Sequence, residues 1–131
     1  MNANSDKPPS PHSPLIGVVG PCGSGKSTLI AGLEQSGYHA RHIAQEHSYV
    51  PDMWQRLTNP DYLVFLDASH ATTLRRRKLD WTAADWQEQQ HRLRHARAHA
   101  DLYLETDALT IEQVLEQVLD FLNGKRPSPG I

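Results

Sequence analysis

Residues 15–27 read LIGVVGPCGSGKS, and no other stretch narrows the possible folds so far. Leu15 to Val19 is apolar without alternation, the pattern of a strand covered on both faces, as in parallel sheets flanked by helices. Gly20-Pro21-Cys22-Gly23-Ser24-Gly25-Lys26-Ser27 then matches G-x-x-x-x-G-K-[ST] at every fixed position. Its glycines let the chain wrap tightly enough for backbone N–H groups to point inward at phosphate oxygens. A helix starting at Lys26 turns its positive end on the same anion. Lys26 is expected to reach the β- and γ-phosphates of a nucleotide, and the Ser27 hydroxyl to coordinate Mg²⁺. With Thr28 beside them, residues 20–28 form the expected nucleotide contact. The guanine-reading N-K-x-D motif is absent, so ATP is the expected nucleotide.

The rest of the chain alternates short apolar runs with longer amphipathic ones. Leu29, Ile30 and Leu33 stand at helical spacing, and Ser36-Gly37 ends that helix. Tyr38 to Ile43 is a weaker strand candidate, and 51–57 a short helical turn broken by Asn59-Pro60. Tyr62 to Leu66 is the second fully buried strand, ending at Asp67. Helices are expected over 69–77 and over 83–99, the second capped by Thr82 with Asp85 in its first turn. Leu102 to Leu104 is a short strand. Thr110-Ile111-Glu112-Gln113 has capping-box form and opens a last helix that stops at Asn123-Gly124. Strands alternating with helices predict one α/β domain over 14–124, a three-layer α/β/α arrangement with a four-stranded parallel sheet in the order 2-1-3-4. Ligand is expected at the carboxyl ends of the strands, around the first one. Residues 1–13 and 125–131 are Pro-rich and polar and read as disordered tails.

Composition excludes several classes. Thirteen Lys and Arg against fifteen Asp and Glu leave a formal charge of −2, so neither nucleic acid nor an anionic membrane is expected as a partner. No apolar run approaches the roughly 18 residues of a membrane span. One cysteine cannot form an internal disulfide, and the expected compartment is the cytoplasm. Nothing in the sequence indicates an oligomeric state.

Other residues carry candidate chemistry. Asp67 ends an apolar strand, the usual place for a carboxylate serving Mg²⁺; the other reading is a structural or helix-capping role. Glu46 follows the second strand, either as a base or water-orienting group or as a solvated loop carboxylate. Arg75, Arg76, Arg77 and Lys78 form a basic run, either a solvated helix end or the source of an arginine over the phosphates. His91, His95 and His99 form one stripe on the 83–99 helix. Trp86, Leu93, Ala96 and Ala100 lie opposite, so the histidines are expected to face solvent and to bind no metal. Cys22, inside the loop, is either a tolerated small residue or a redox-sensitive thiol. Tyr49, Met53 and Trp54 either pack over the sheet edge or line an acceptor pocket.

Four stretches together resemble the nucleoside- and shikimate-kinase-like branch of P-loop proteins. They are Gly20 to Thr28; Asn59 to Ser69, similar to the "PD-apolar-LD" strand of thymidylate and deoxynucleoside kinases; Arg75 to Lys78 with the polar helix after it, similar in place to their lid; and Ala100 to Asp107 with its capped helix, similar to their last strand and adenine-side loop. The resemblance implies that Glu46 acts as base and that Arg76 or Arg77 reaches the phosphates. It also places the short 44–61 connection where those kinases hold their acceptor. Two functions follow as expectations: an ATP- and Mg²⁺-dependent phosphotransferase acting on a small acceptor, or a nucleotide-binding regulatory module or weak ATPase without one. Because the loop stands at a helix start, replacing Lys26 is expected to weaken phosphate binding and leave the fold intact.

Overall fold

The computed structural model describes residues 14–77 and 81–125. Four strands, β1 (Leu15–Val19), β2 (His39–His42), β3 (Tyr62–Asp67) and β4 (Leu102–Glu105), form one sheet in the order β2-β1-β3-β4. Every pairing is parallel, with Gly17 opposite Arg41 and Leu63, and Phe65 opposite Tyr103. The α/β fold and the 2-1-3-4 order expected from the sequence are those observed.

The strands alternate their side chains between two cores. On one face Ile16, Val18, Val64, Leu66 and Leu104 pack with Leu29 and Leu33 of α1 (Lys26–Gln35) and with Val114, Val118 and Leu122 of α6 (Ile111–Asn123). On the other, Val19, Leu63 and Phe65 pack with Ile43, with Trp54 of α2 (Met53–Leu57) and with Ala96 of α5 (Arg94–His99). Burial on both faces explains why β1 and β3 read as continuous apolar runs. The weak run at β2 has the opposite cause: it is an edge strand, largely exposed, where polar residues are tolerated.

Aspartates set two strand starts. Asp61 accepts from the Leu15 N–H at 2.7 Å, and Asp101 accepts from the Leu63 N–H at 2.8 Å. The capping box expected at Thr110 with Gln113 is present, and the expected N-cap Thr82 forms one with Asp85 as well.

The helix expected over 83–99 is two helices. α4 (Ala83–Arg92) ends at Leu93, whose φ of −92° and ψ of 0° make a tight turn into α5. Leu93 and Ala96 are fully buried. The histidine stripe is therefore not wholly solvent-facing: His95 is half-buried and its Nδ1 accepts from Trp54 Nε1 at 3.1 Å. The apolar face wraps around Trp54, a neighbour that lies 41 residues away and that a helical wheel cannot contain. Trp54 itself packs on the sheet, whereas Tyr49 is 82% exposed beneath the Arg92 guanidinium.

α3 (His70–Arg77) follows β3. Lys78 and the Arg77 side chain lie outside the described residues, as do the expected tails apart from Lys125. Among the described residues, no helix is long and apolar enough to cross a membrane.

Candidate functional site

In the order 2-1-3-4 the chain leaves β1 toward one side for β2 and returns to the other for β3, opening a crevice at the carboxyl ends of the strands. Residues following each strand meet there. Residues 20–27 leave β1 and wrap into a loop, with positive φ at Gly20, Gly23 and Gly25. The root of the loop lies against β3: a Cβ on Gly20 would stand 2.0 Å from the Leu66 carbonyl oxygen. Gly25, with φ 102°, is the N-cap of α1, and no side chain caps the helix. The first N–H groups of α1 are thus available to an anion. Ser27 and Thr28 are exposed in that first turn.

Lys26 folds back on its own loop. Its ammonium donates to the Gly20 carbonyl at 2.7 Å and the Pro21 carbonyl at 3.0 Å, and it meets Glu46 Oε2 at 3.2 Å. Both partners are buried, Lys26 7% and Glu46 2% exposed. Glu46 is therefore no solvated loop carboxylate. It sits in the short turn Gln45–His47 after β2, with His42 Nε2 at 3.9 Å and His47 Nε2 at 3.7 Å from the same oxygen. Burial, and then the Lys26 cation, hold the His42 imidazole below its ordinary pKa, so at neutral pH it stands there uncharged.

Asp67 is a joint in the scaffold. Its Oδ1 accepts from Gln90 Nε2 and from the Ala68 N–H, each at 2.9 Å. Its Oδ2 accepts from the Tyr103 hydroxyl at 2.5 Å, and the Tyr103 ring stacks on Phe65. This geometry is that of the structural reading of Asp67. Burial and then the Asp67 carboxylate push the Tyr103 phenol up to about 12. The folded chain therefore holds this proton more tightly than the unfolded chain, whose tyrosines titrate near 10. The stabilisation is complete below about pH 10 and is lost as pH rises from there through the folded value. In a spectrophotometric titration Tyr103 should ionise well above the ordinary tyrosine value, and Asp67→Asn should bring its midpoint down. An unchanged midpoint in that variant would exclude the coupling.

Arg76 joins the loop to the far side of the sheet. Its guanidinium donates to Thr106 Oγ1 at 2.7 Å, to the Thr106 carbonyl, and more weakly to the Ser24 carbonyl at 3.4 Å. Thr106, just after β4, also donates to the Ser24 carbonyl at 3.2 Å, and its N–H donates to the Asp67 carbonyl at 2.9 Å. Beside this junction lies a cavity of about 340 Å³. Leu109, Ile111 and Val114 supply its apolar wall; Thr28, Thr106 and Arg76 supply polar groups.

The structure thus brings Gly20 to Thr28, Glu46 and Arg76 together, and gives Asp67 to the sheet. Two glutamines went unread in the sequence. Gln89 clamps the loop, accepting from the Cys22 N–H at 3.0 Å and donating to Cys22 Sγ at 3.4 Å. Gln45, fully buried, accepts from the Trp54 N–H and donates to the Val50 and Arg92 carbonyls, closing the 45–54 segment on itself. The signal for Gln89 was its place on the apolar face, four residues before Leu93 and seven before Ala96. A scan against protein-family models and a search of curated proteins both find no match.

Proposed function

We propose that the protein binds ATP at residues 20–28 and, with Mg²⁺, transfers the terminal phosphoryl group to a small acceptor. The observation that carries this reading is the buried pair of Lys26 and Glu46 at the mouth of the glycine loop. A cation that meets phosphate and a carboxylate that takes a proton are the two protein groups such a transfer needs beside each other.

The residues suit a nucleotide with its metal. Gly20 allows the loop its close turn, the Ser27 hydroxyl is exposed in the first turn of α1, and the Ser24 hydroxyl is buried with no hydrogen-bond partner among the described residues. The adjoining cavity falls within the range of small-molecule sites. A base resting on Leu109 and the 62%-exposed Ile111 would shield that side chain from water, with the Arg76 guanidinium at hand to stack or donate. Bound Mg²⁺ would supply charge neutralisation on the transferring group; Ser27 would be its protein ligand, and Asp67 keeps the scaffold role. On phosphate binding Lys26 exchanges Glu46 for phosphate oxygens, leaving Glu46 as an unpaired buried carboxylate. The freed carboxylate accepts the proton of the attacking hydroxyl.

A second reading, a nucleotide-dependent module without an acceptor, draws on one observation. The 44–61 connection spends Trp54 on the core and Gln45 on closing its own turns. ADP release from Mg–ATP, with and without a pool of nucleosides, nucleotides and hydroxylated metabolites, separates the two. Stimulation by a component of the pool is expected. Binding without stimulation favours the module, and absence of ATP binding sinks both.

A further inference from the structure

Cys22, Glu46 and His47 come from two segments 24 residues apart in the chain, the phosphate loop and the turn after β2. One ligand atom from each lies within 4.8 Å of the others. Cys22 Sγ is 3.7 Å from His47 Nε2, and His47 Nε2 is 3.7 Å from Glu46 Oε2. The thiol and the carboxylate therefore face the same imidazole nitrogen. A hydrogen-bonded Cys–His–Glu relay would place them on opposite nitrogens of the ring, as in a triad. Three donors converging on one point is instead the arrangement of ligands around an ion.

The spacing agrees with one. Zinc bonds of about 2.3 Å to sulfur and 2.0–2.2 Å to nitrogen or oxygen, at tetrahedral angles, put ligand atoms about 3.4–3.6 Å apart, close to the 3.7 Å of the Cys22–His47 and His47–Glu46 pairs. A second, independent observation lies on Glu46. The carboxylate is 2% exposed, yet its Oε1 has no hydrogen-bond partner among the described residues. Oε2, the oxygen that faces His47, is also paired with the Lys26 ammonium at 3.2 Å. Gln89, donating to Cys22 Sγ at 3.4 Å, stands where an outer-shell partner would steady a thiolate.

We infer that Cys22, Glu46 and His47 form a binding site for a divalent transition-metal ion of the zinc class. A thiolate, an imidazole and one carboxylate select such an ion over Mg²⁺, which takes oxygen ligands. On binding, the Cys22 thiol releases its proton to solvent, and the thiolate and Glu46 stand against the charge of the ion and of Lys26, which shares Glu46 Oε2 at 3.2 Å. The three protein donors leave one coordination position open. Its ligands are distinct from Ser27, the residue proposed above for Mg²⁺. Where transfer uses Glu46 as base, an ion held there withdraws that base and inhibits.

Cobalt(II) is the probe, because tetrahedral thiolate-bound Co²⁺ absorbs in the visible and shows a sulfur-to-metal charge-transfer band in the near ultraviolet. The chain has one cysteine, so any such band reports Cys22. Titrating the full chain, untagged and reduced, should give both absorptions, saturating at one Co²⁺ per chain and abolished by Zn²⁺. Cys22→Ser should lose the charge-transfer band. His47→Ala, at a side chain 58% exposed and so without effect on folding, should lose saturable binding. Absence of the charge-transfer band at stoichiometric Co²⁺, or a titration unchanged in His47→Ala, overturns the site. Both readouts are independent of ATP turnover.

Discussion

Lys26→Ala should lose both nucleotide affinity and stability. A charge-assisted contact to phosphate is worth about 1.5–3 kcal/mol, so Mg–ATP affinity should fall roughly 10- to 150-fold. The same change strands Glu46. A buried pair broken from one side costs about 3–5 kcal/mol, because the remaining charge is left without a partner. In a domain of this size the melting temperature should fall on the order of 10 °C. Lys26→Met combined with Glu46→Gln should recover most of the stability and none of the affinity, since it removes both charges and restores no phosphate contact. Thermal melts and ATP titrations of the two variants check this. A double variant no more stable than Lys26→Ala would show that the pair is not what holds the loop; unchanged ATP affinity in Lys26→Ala would remove the loop from nucleotide binding.

The second large effect belongs to Glu46. Glu46→Gln keeps the volume and removes the charge and the basicity. Lys26 retains its two carbonyl acceptors, so the loss of stability should be smaller than for Lys26→Ala. Mg–ATP should bind as tightly as before or more tightly, because Lys26 no longer has to leave a carboxylate. Turnover should fall roughly 10²- to 10⁴-fold, the usual contribution of a positioned base. This split, kcat reduced with binding preserved, is the signature of a group acting in the transition state. A Glu46→Gln variant with turnover within a few-fold of the parent would take the base role away from Glu46.

Both predictions depend on a contact that a linear reading does not contain. Lys26 and Glu46 are 20 residues apart, and each looks solvated in its own segment. The expectation that the fold would survive Lys26→Ala followed from that local view. The tertiary arrangement changes the expected result, because parallel pairing of β2 beside β1 brings the turn after β2 onto the loop after β1.

What the sequence determined by itself was whatever depends on neighbours in the chain. β1 and β3 are legible because strands covered on both faces are apolar throughout. The loop is legible because tight wrapping needs glycine at set positions, and the Thr110 capping box because it closes within three residues. The strand order followed from the handedness of the crossovers and the position of the loop. Tertiary structure alone decided the partners of each polar side chain. Asp67 stands where a metal ligand belongs, and Tyr103 and Gln90 engage it in the scaffold. Arg76 lies in a run that reads either as a solvated helix end or as the source of an arginine over the phosphates, and Thr106 and Ser24 draw it to the loop. The long helix broke at Leu93 because Gln89 reaches the glycine loop at Cys22 while Leu93 and Ala96 pack on the sheet. Hydrogen bonds and ion pairs act over about 3 Å of space whatever the separation along the chain, so their partners emerge only once the sheet has brought the ends of its strands together.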